Sequence, residues 1–153
     1  MPLDGLATTT ALVHLSNPPS TRTSPVYNYI AQTTRPCNII TTAGQIGITP
    51  SGSIPSDPVE QIREAFRNLG RCLEAAGARV EDIMKLTCYI VDYDHNDPKQ
   101  RQPSLEFLEN HRPPITLVPV TKLALPGIFF EVEAIAAVAA DALTTRHPRE
   151  TKL

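Results

Sequence analysis

Two glutamates near the C-terminal end, Glu131 and Glu133, have the residue type and spacing for proton-transfer chemistry. They lie two apart in a predicted strand, so both carboxylates project from one face, roughly 6–7 Å apart. Phe130, Val132 and Ala134 alternate with them and are expected to face the core. If another copy of the chain buries the glutamate face, a carboxylate there needs a partner, a raised pKa or a bound water, and it then suits general acid–base catalysis. On a solvated face the pair would be two ordinary surface carboxylates.

The cysteines and histidines indicate neither a second reactive centre nor a metal site. Three well-separated cysteines in a chain of this size predict free thiols in a reducing compartment: Cys37, Cys72 and Cys88. Cys88 lies in a predicted strand without an evident cationic neighbour, so we predict a small core residue rather than a nucleophile. The four histidines show no ligand spacing, and we therefore predict no metal and no cofactor.

Size and charge limit the class of protein. The chain has 153 residues, enough for one domain, with a core expected over about 11–140 and loose ends at 1–10 and 141–153. Lys and Arg number 14 against 16 Asp and Glu, a net charge of −2. This balance lacks the basic surface that binds nucleic acid or an anionic membrane. No apolar run has the length of a transmembrane helix.

One helix is clearly predicted. Asp57 is a candidate N-cap, Pro58 suits the first helical position, and Gly77 is a natural stop. Between them, apolar residues recur at steps of three and four and form one stripe that must pack on a sheet: Val59, Ile62, Phe66, Leu69, Leu73 and Ala76. A second, shorter helix is expected from Pro103 to Asn110.

The remaining apolar segments predict strands, and the order of elements predicts one sheet with helices on one face. The strand candidates are residues 11–15, 26–34, 38–42, 84–92, 115–120 and 128–137. Pro119 confines its strand to a sheet edge or a bulge, because proline cannot donate to the ladder. A sheet covered on one face leaves the other to be buried, which favours oligomerisation.

Six motifs in order along the chain resemble the Rid family, also called YjgF. They are Thr42-Ala43-Gly44-Gln45-Ile46-Gly47, Asn68-Leu69, Leu73-Glu74-Ala75-Ala76-Gly77-Ala78, Glu81-Asp82-Ile83-Met84-Lys85, Arg112-Pro113-Pro114 and Glu131-Val132-Glu133-Ala134-Ile135-Ala136. The resemblance implies an α+β, chorismate-mutase-like fold with one mixed sheet and two helices on one face. It also implies a homotrimer whose sheets form a central barrel, with small-molecule sites in the clefts between subunits.

In the deaminase branch of that family an arginine binds the substrate carboxylate. A glutamate and a backbone carbonyl position a water that hydrolyses an imine or enamine. By resemblance, Glu131 corresponds to the glutamate and Gly44 to the glycine beside the water. Thr116 corresponds to the Ser or Thr after the arginine, whereas Ala43 replaces a serine and Ile115 replaces the arginine itself. Leu117 stands where a small residue is common, and either Tyr27 or Tyr29 corresponds to a pocket tyrosine.

An aliphatic side chain at position 115 cannot bind a carboxylate through two charge-assisted hydrogen bonds. The pocket therefore takes an uncharged or larger apolar substrate, or a neighbouring cation reaches in from Arg112, His111 or Lys122. We expect Glu131 to be enclosed between protomers beside Ile115.

The leading hypothesis is an enzyme acting on an imine, an enamine or a related enol, by hydrolytic deamination or proton transfer in a specialised biosynthetic pathway. The alternatives are a non-catalytic, chaperone-like binding trimer and, less favoured, a ribonuclease. The expected compartment is the cytoplasm. The final Thr151-Lys152-Leu153 resembles the peroxisomal Ser-Lys-Leu address and supplies the alternative.

Overall fold

The computed structural model describes residues 11–140. The α-helices within this range are α1 (Pro58–Ala75) and α2 (Gln102–Leu108). The strands found within these residues are β1 (Val13–Ser16), β2 (Ile30–Thr33), β3 (Cys37–Thr41), β4 (Gln45–Ile46), β5 (Ile83–Val91), β6 (Ile115–Val120) and β7 (Phe130–Ala139). The two chain ends predicted to be loose lie outside the described residues, as does the Thr151-Lys152-Leu153 tail.

The main sheet is mixed and has the strand order β3-β7-β5-β6, with β4 also paired to β7. Only β5 and β6 run parallel, and every other pair in it is antiparallel. Strand β6 lies at the edge, as Pro119 predicts. Within the described part of the chain, strands β1 and β2 pair only with each other, in a separate two-stranded sheet.

Helix α1 begins and ends where its capping residues predict. The Asp57 carboxylate accepts a hydrogen bond from the Val59 backbone N–H at 3.1 Å. Gly77 follows the helix with φ of 77°, a conformation that glycine adopts without strain. Its position lets the Ala78 N–H reach back to the Leu73 carbonyl at 2.8 Å.

The core lies between the helices and one face of the main sheet. Ile62, Phe66, Leu69 and Leu73 of α1 are almost fully buried, as the apolar stripe predicts. The Phe66 ring lies 5.1 Å from that of Phe107 on α2. Each such buried side chain stabilises the fold by about 1.5–3 kcal/mol through removal of apolar surface from water.

Strand alternation in β5 and β7 follows the prediction. Leu86, Cys88 and Ile90 of β5 are buried under the helices, as are Phe130, Val132 and Ala134 of β7. Strand β7 begins two residues later and ends two residues later than expected, because the loop before it holds Ile128 and Phe129. We call the face with the helices the inner face and the opposite one the outer face.

Helix α2 differs slightly from its prediction. It begins at Gln102, so Pro103 occupies its first turn and does not interrupt it, and it ends at Leu108. Glu109 follows with φ of 49°, a left-handed conformation that stops the helix. A single 3₁₀ turn, Pro98–Gln100, precedes α2. Among the helices of residues 11–140, none is both long and apolar enough to cross a membrane.

Candidate functional site

The Glu131 carboxylate packs directly against the backbone of Gly44. Glu131 lies in β7, half-buried, with Ile46 of β4 opposite it on one side and Tyr89 of β5 on the other. A Cβ on residue 44 would lie 2.6 Å from the carboxyl carbon of Glu131 and closer still to Oε1. Only glycine leaves room for the carboxylate in this position.

The segment around Gly44 is fixed on both sides. Thr42 and Ala134 of β7 exchange two hydrogen bonds: the Thr42 N–H donates to the Ala134 carbonyl, and the Thr42 hydroxyl accepts from the Ala134 N–H, each at 3.0 Å. The Ala43 carbonyl accepts from the Gln45 side chain at 3.1 Å. On α1, the Asn68 amide donates to the carbonyls of residues 46 and 48, both at 2.8 Å. The backbone that faces Glu131 is therefore preorganised.

The second glutamate, Glu133, has different neighbours on the same outer face. It pairs with Thr87 in the sheet and lines a shallow hollow with Lys85. The Lys85 ammonium donates to the Thr116 hydroxyl. Thr116 is thus on the outer face and is already hydrogen-bonded.

A largely apolar cavity of about 380 Å³ opens between the sheet edge and α2. Ile115 and Leu117 line it from β6, and Tyr27 lines it from the segment before β2. Cys88, Ile90, Phe66 and Leu105 are among its other apolar lining residues. A cavity of this size and character is typical of a small-molecule site.

The sheet register separates Glu131 from Ile115 within one chain. Ile115 pairs with the buried Leu86, so its side chain is on the inner face. Glu131 pairs with Tyr89, whose side chain is on the outer face because residues alternate along β5. The expected proximity of Glu131 to Ile115 can therefore arise only between two copies of the chain.

None of the three cations considered as substitutes for the missing arginine lines this cavity. Arg112 donates to the His111 carbonyl at 2.9 Å, and its own carbonyl accepts from Asn28. The His111 ring is hydrogen-bonded to the Ile83 carbonyl at 2.7 Å. Lys122 lines a separate surface hollow in the loop between β6 and β7.

Sequence reasoning missed the segment between β5 and α2. It contributes Tyr93, His95, Gln100 and Arg101 to the cavity. The one signal in the sequence that could have indicated this segment is its position. It is a polar loop after the C-terminal end of a strand that runs parallel to its neighbour, a common place for ligand-binding residues.

Of the two candidate pocket tyrosines, Tyr27 lines the cavity and Tyr29 is exposed. Their rings meet edge to face with centroids 5.5 Å apart. The hydrogen bond with Tyr27 raises the pKa of Tyr29. Tyr29 thus packs against Tyr27 and does not itself line the cavity.

Cys88 lines the cavity, but its thiol is a poor nucleophile at neutral pH. Burial raises the pKa of its thiol to about 12, so the thiolate is scarce at neutral pH. Residues 11–140 contain no group of three His, Cys, Asp or Glu side chains able to hold a metal ion.

Comparisons with known proteins find related sequences and folds. A family model described as Endoribonuclease L-PSP matches residues 20–138. A 2-iminobutanoate/2-iminopropanoate deaminase of Escherichia coli is 33% identical over 102 residues, which cover 65% of this chain and 79% of the deaminase. The crystal structure of the YjgF gene product of E. coli is 35% identical, with a TM-score of 0.58, over 65% of this chain and 80% of that one.

A protein of the Rid family from Yersinia pestis, YyfB, is similar with a TM-score of 0.75 over 83% of this chain and 99% of that chain. Its sequence identity is 24%, so this likeness concerns the fold.

Proposed function

Because the chain belongs to the Rid (YjgF) family, some of whose members are 2-iminobutanoate deaminases, we propose that it is an enzyme acting on an imine, an enamine or a related enol. Glu131 is the proposed catalytic residue. The observation that carries the proposal is the packing of its carboxylate against the backbone of Gly44, which lies on a preorganised segment.

In the hydrolytic form of the proposal, Glu131 acts as the general base. It accepts a proton from a water while the water oxygen bonds to the imine carbon and the C=N double bond becomes single. It then returns the proton to the nitrogen. The carboxylate next takes the proton of the new hydroxyl group and delivers it to the nitrogen, so that the C–N bond breaks, a C=O double bond forms, and ammonia leaves. In the proton-transfer form, the same carboxylate moves a proton between the carbon and nitrogen ends of an enamine.

The substrate site is proposed to lie between copies of the chain. Within one chain Glu131 and Gly44 are on the outer face, whereas Tyr27, Ile115 and Leu117 line the inner cavity. Proteins of this family are typically homotrimers, and a homotrimer supplies the second copy. Exposed Ile39 and Ile135 on the outer face support burial of that face in the assembly.

The substrate is proposed to be bulkier than the smallest imino acids. Ile115 and Leu117 give the cavity an apolar wall, which suits an aliphatic or aromatic group. Such a preference suits a specialised biosynthetic role better than general clearance of imino acids. We propose that the enzyme acts in the cytoplasm and needs neither a cofactor nor a nucleic acid.

Ammonia release from freshly generated imines tests this proposal. Short and branched 2-imino acids are made in place by an amino acid oxidase, and Glu131→Gln is compared with wild type. We expect about 100-fold slower turnover in the variant, since removal of a general base typically costs this much. Glu133→Gln is the matched control, because it removes the same charge two residues away on the same face.

Equal turnover in wild type and Glu131→Gln would remove Glu131 from the mechanism. If no imine or enamine is turned over while ligands still raise the melting temperature equally in both proteins, the protein is a non-catalytic binder. RNA cleavage by purified protein that Glu131→Gln abolishes would instead support the ribonuclease alternative.

A further inference from the structure

The charge of the apolar cavity is uneven. Among the described residues that line it, Arg101 is the one lysine or arginine, and none is an aspartate or a glutamate. Arg101 lies at the start of α2 and is exposed. The cavity therefore combines an apolar wall with a single positive charge.

Two polar side chains beside Arg101, those of Gln100 and Ser104, already have protein partners. The Gln100 side chain accepts from the Asp94 N–H at 3.0 Å and donates to the Asp92 carbonyl at 3.2 Å. The Ser104 hydroxyl donates to the Arg101 carbonyl at 2.7 Å. These bonds hold the loop that carries Arg101 and occupy the neighbouring polar side chains.

The guanidinium of Arg101 differs from those of the α1 arginines in its ion pairing. Arg63, Arg67 and Arg71 each form an ion pair with a glutamate at 3.3 Å or less. Within residues 11–140, no carboxylate pairs with the guanidinium of Arg101. Its backbone N–H donates to the Pro98 carbonyl in the turn before α2, and its carbonyl accepts from the Leu105 N–H in the first turn of α2, so the backbone position of Arg101 is fixed.

We propose that Arg101 binds the anionic end of the substrate while the apolar body of the substrate lies against Ile115, Leu117 and Tyr27. This inference rests on the proposed function, and it names the substrate class as a small carboxylate with a branched or aromatic side chain. A guanidinium binds a carboxylate through two parallel charged hydrogen bonds, which fixes orientation as well as charge.

The size of the cavity supports a substrate that carries an apolar group. Its volume of 380 Å³ equals that of about a dozen water molecules. The carboxylate and imine of a short-chain imino acid would occupy only part of it. A branched side chain fills the remainder and removes apolar surface from water.

The test measures binding and needs no turnover. The probes are 4-methyl-2-oxopentanoate, a stable keto acid, its uncharged methyl ester, and the shorter 2-oxobutanoate, each titrated calorimetrically into the assembled protein. For wild type we expect the branched acid to bind tighter than either of the others. Arg101→Gln should weaken binding of the branched acid by about tenfold or more and leave the ester unchanged, because it removes a charged hydrogen bond.

Two further variants complete the comparison. Lys99→Gln removes the same charge from the adjacent exposed turn and should leave binding unchanged, since Lys99 does not line the cavity. Arg101→Lys keeps the charge and should retain an intermediate affinity. It also supplies the comparison if Arg101→Gln proves poorly folded.

The inference is overturned if Arg101→Gln binds the branched acid as wild type does, or if Lys99→Gln weakens binding equally, since general electrostatics would then suffice. Equal binding of acid and ester by wild type also overturns it. Failure of the proposed function is distinguishable, because Glu131→Gln would then leave turnover unchanged while the effect of Arg101 on binding persists.

Discussion

The carboxylate of Glu131 fills the space that a side chain on Gly44 would need. A loop residue and a strand residue 87 positions apart in the sequence (131 − 44) thus form one unit. The hydrogen bonds of Thr42 and Asn68 hold the loop, so the carboxylate has a fixed backbone surface beside it.

Gly44→Ala is expected to reduce turnover by about 100-fold with little loss of stability. The new methyl group displaces the end of the Glu131 side chain, which can swing away because it is flexible. A misplacement of about 1 Å in a reacting group is enough for such a loss. Initial rates of ammonia release and the urea midpoint measure the two effects.

Gly70→Ala is the control for Gly44→Ala. Gly70 lies within α1, and a Cβ there meets only the Phe107 ring, at 3.4 Å. This variant should keep its activity and gain about 0.5–1 kcal/mol, because alanine favours the helix. Equal activity in Gly44→Ala and wild type would contradict the proposed role of the Gly44–Glu131 pair.

Ile135→Asp is expected to dissociate the assembly. Ile135 lies on the outer face between Thr41 and Lys85 and is 41% exposed in the single chain. Lys85 makes an aspartate tolerable there in a monomer, whereas burial of that charge between subunits is costly. Light scattering coupled to gel filtration measures the mass.

Leu125→Asp serves as the matched surface change, since Leu125 is 50% exposed in the loop before β7. It should leave the mass unchanged. A wild-type protein that runs as a monomer, or an Ile135→Asp variant of unchanged mass, would contradict burial of the outer face.

Glu64 should make the protein sensitive to acid. Burial of this carboxylate favours its neutral form, but hydrogen bonds from Arg67 and Arg71, both at 2.9 Å, outweigh burial and leave its pKa below the ordinary 4.5. A lowered pKa contributes stability that is present above 4.5 and is lost as the pH falls through the folded-state value.

Urea unfolding of wild type and Glu64→Gln measures this contribution. We expect wild type to exceed the variant by about 2 kcal/mol near neutral pH, with the difference shrinking in acid. Glu74→Gln, an exposed change on the same helix, should match wild type throughout. A wild-type advantage over Glu64→Gln that is independent of pH would refute the ionic origin.

Cys88 is expected to react last of the three thiols. Cys37 and Cys72 are partly exposed, whereas Cys88 is buried and its pKa is raised to about 12. Stability that depends on this neutral thiol is present below its ordinary pKa of 9.0 and is lost as the pH rises toward 12.

Alkylation followed by mass spectrometry should find Cys88 protected in the native protein and modified at the rate of the other two in urea. Modification of Cys88 in the native state as fast as Cys37 would show that the cavity opens widely.

The sequence by itself determined the elements that depend on neighbours along the chain. Asp57 and Gly77 fixed the limits of α1 because capping is a hydrogen-bonding problem of a few adjacent residues. Alternation assigned Phe130 and Glu131 to opposite faces of β7, and Pro119 confined β6 to an edge or a bulge, of which the structure shows the edge. The ordered motifs gave the family, which the comparisons confirm.

Only the tertiary structure decided which side chains share a site. It put Tyr27, and not Tyr29, against the apolar cavity, put Ile115 on the face opposite Glu131, and brought Arg101 to the same cavity. These results depend on strand register and on the path of the loop after β5. A shift of one residue in register moves every side chain of a strand to the other face, and no local pattern encodes which partner a strand will meet.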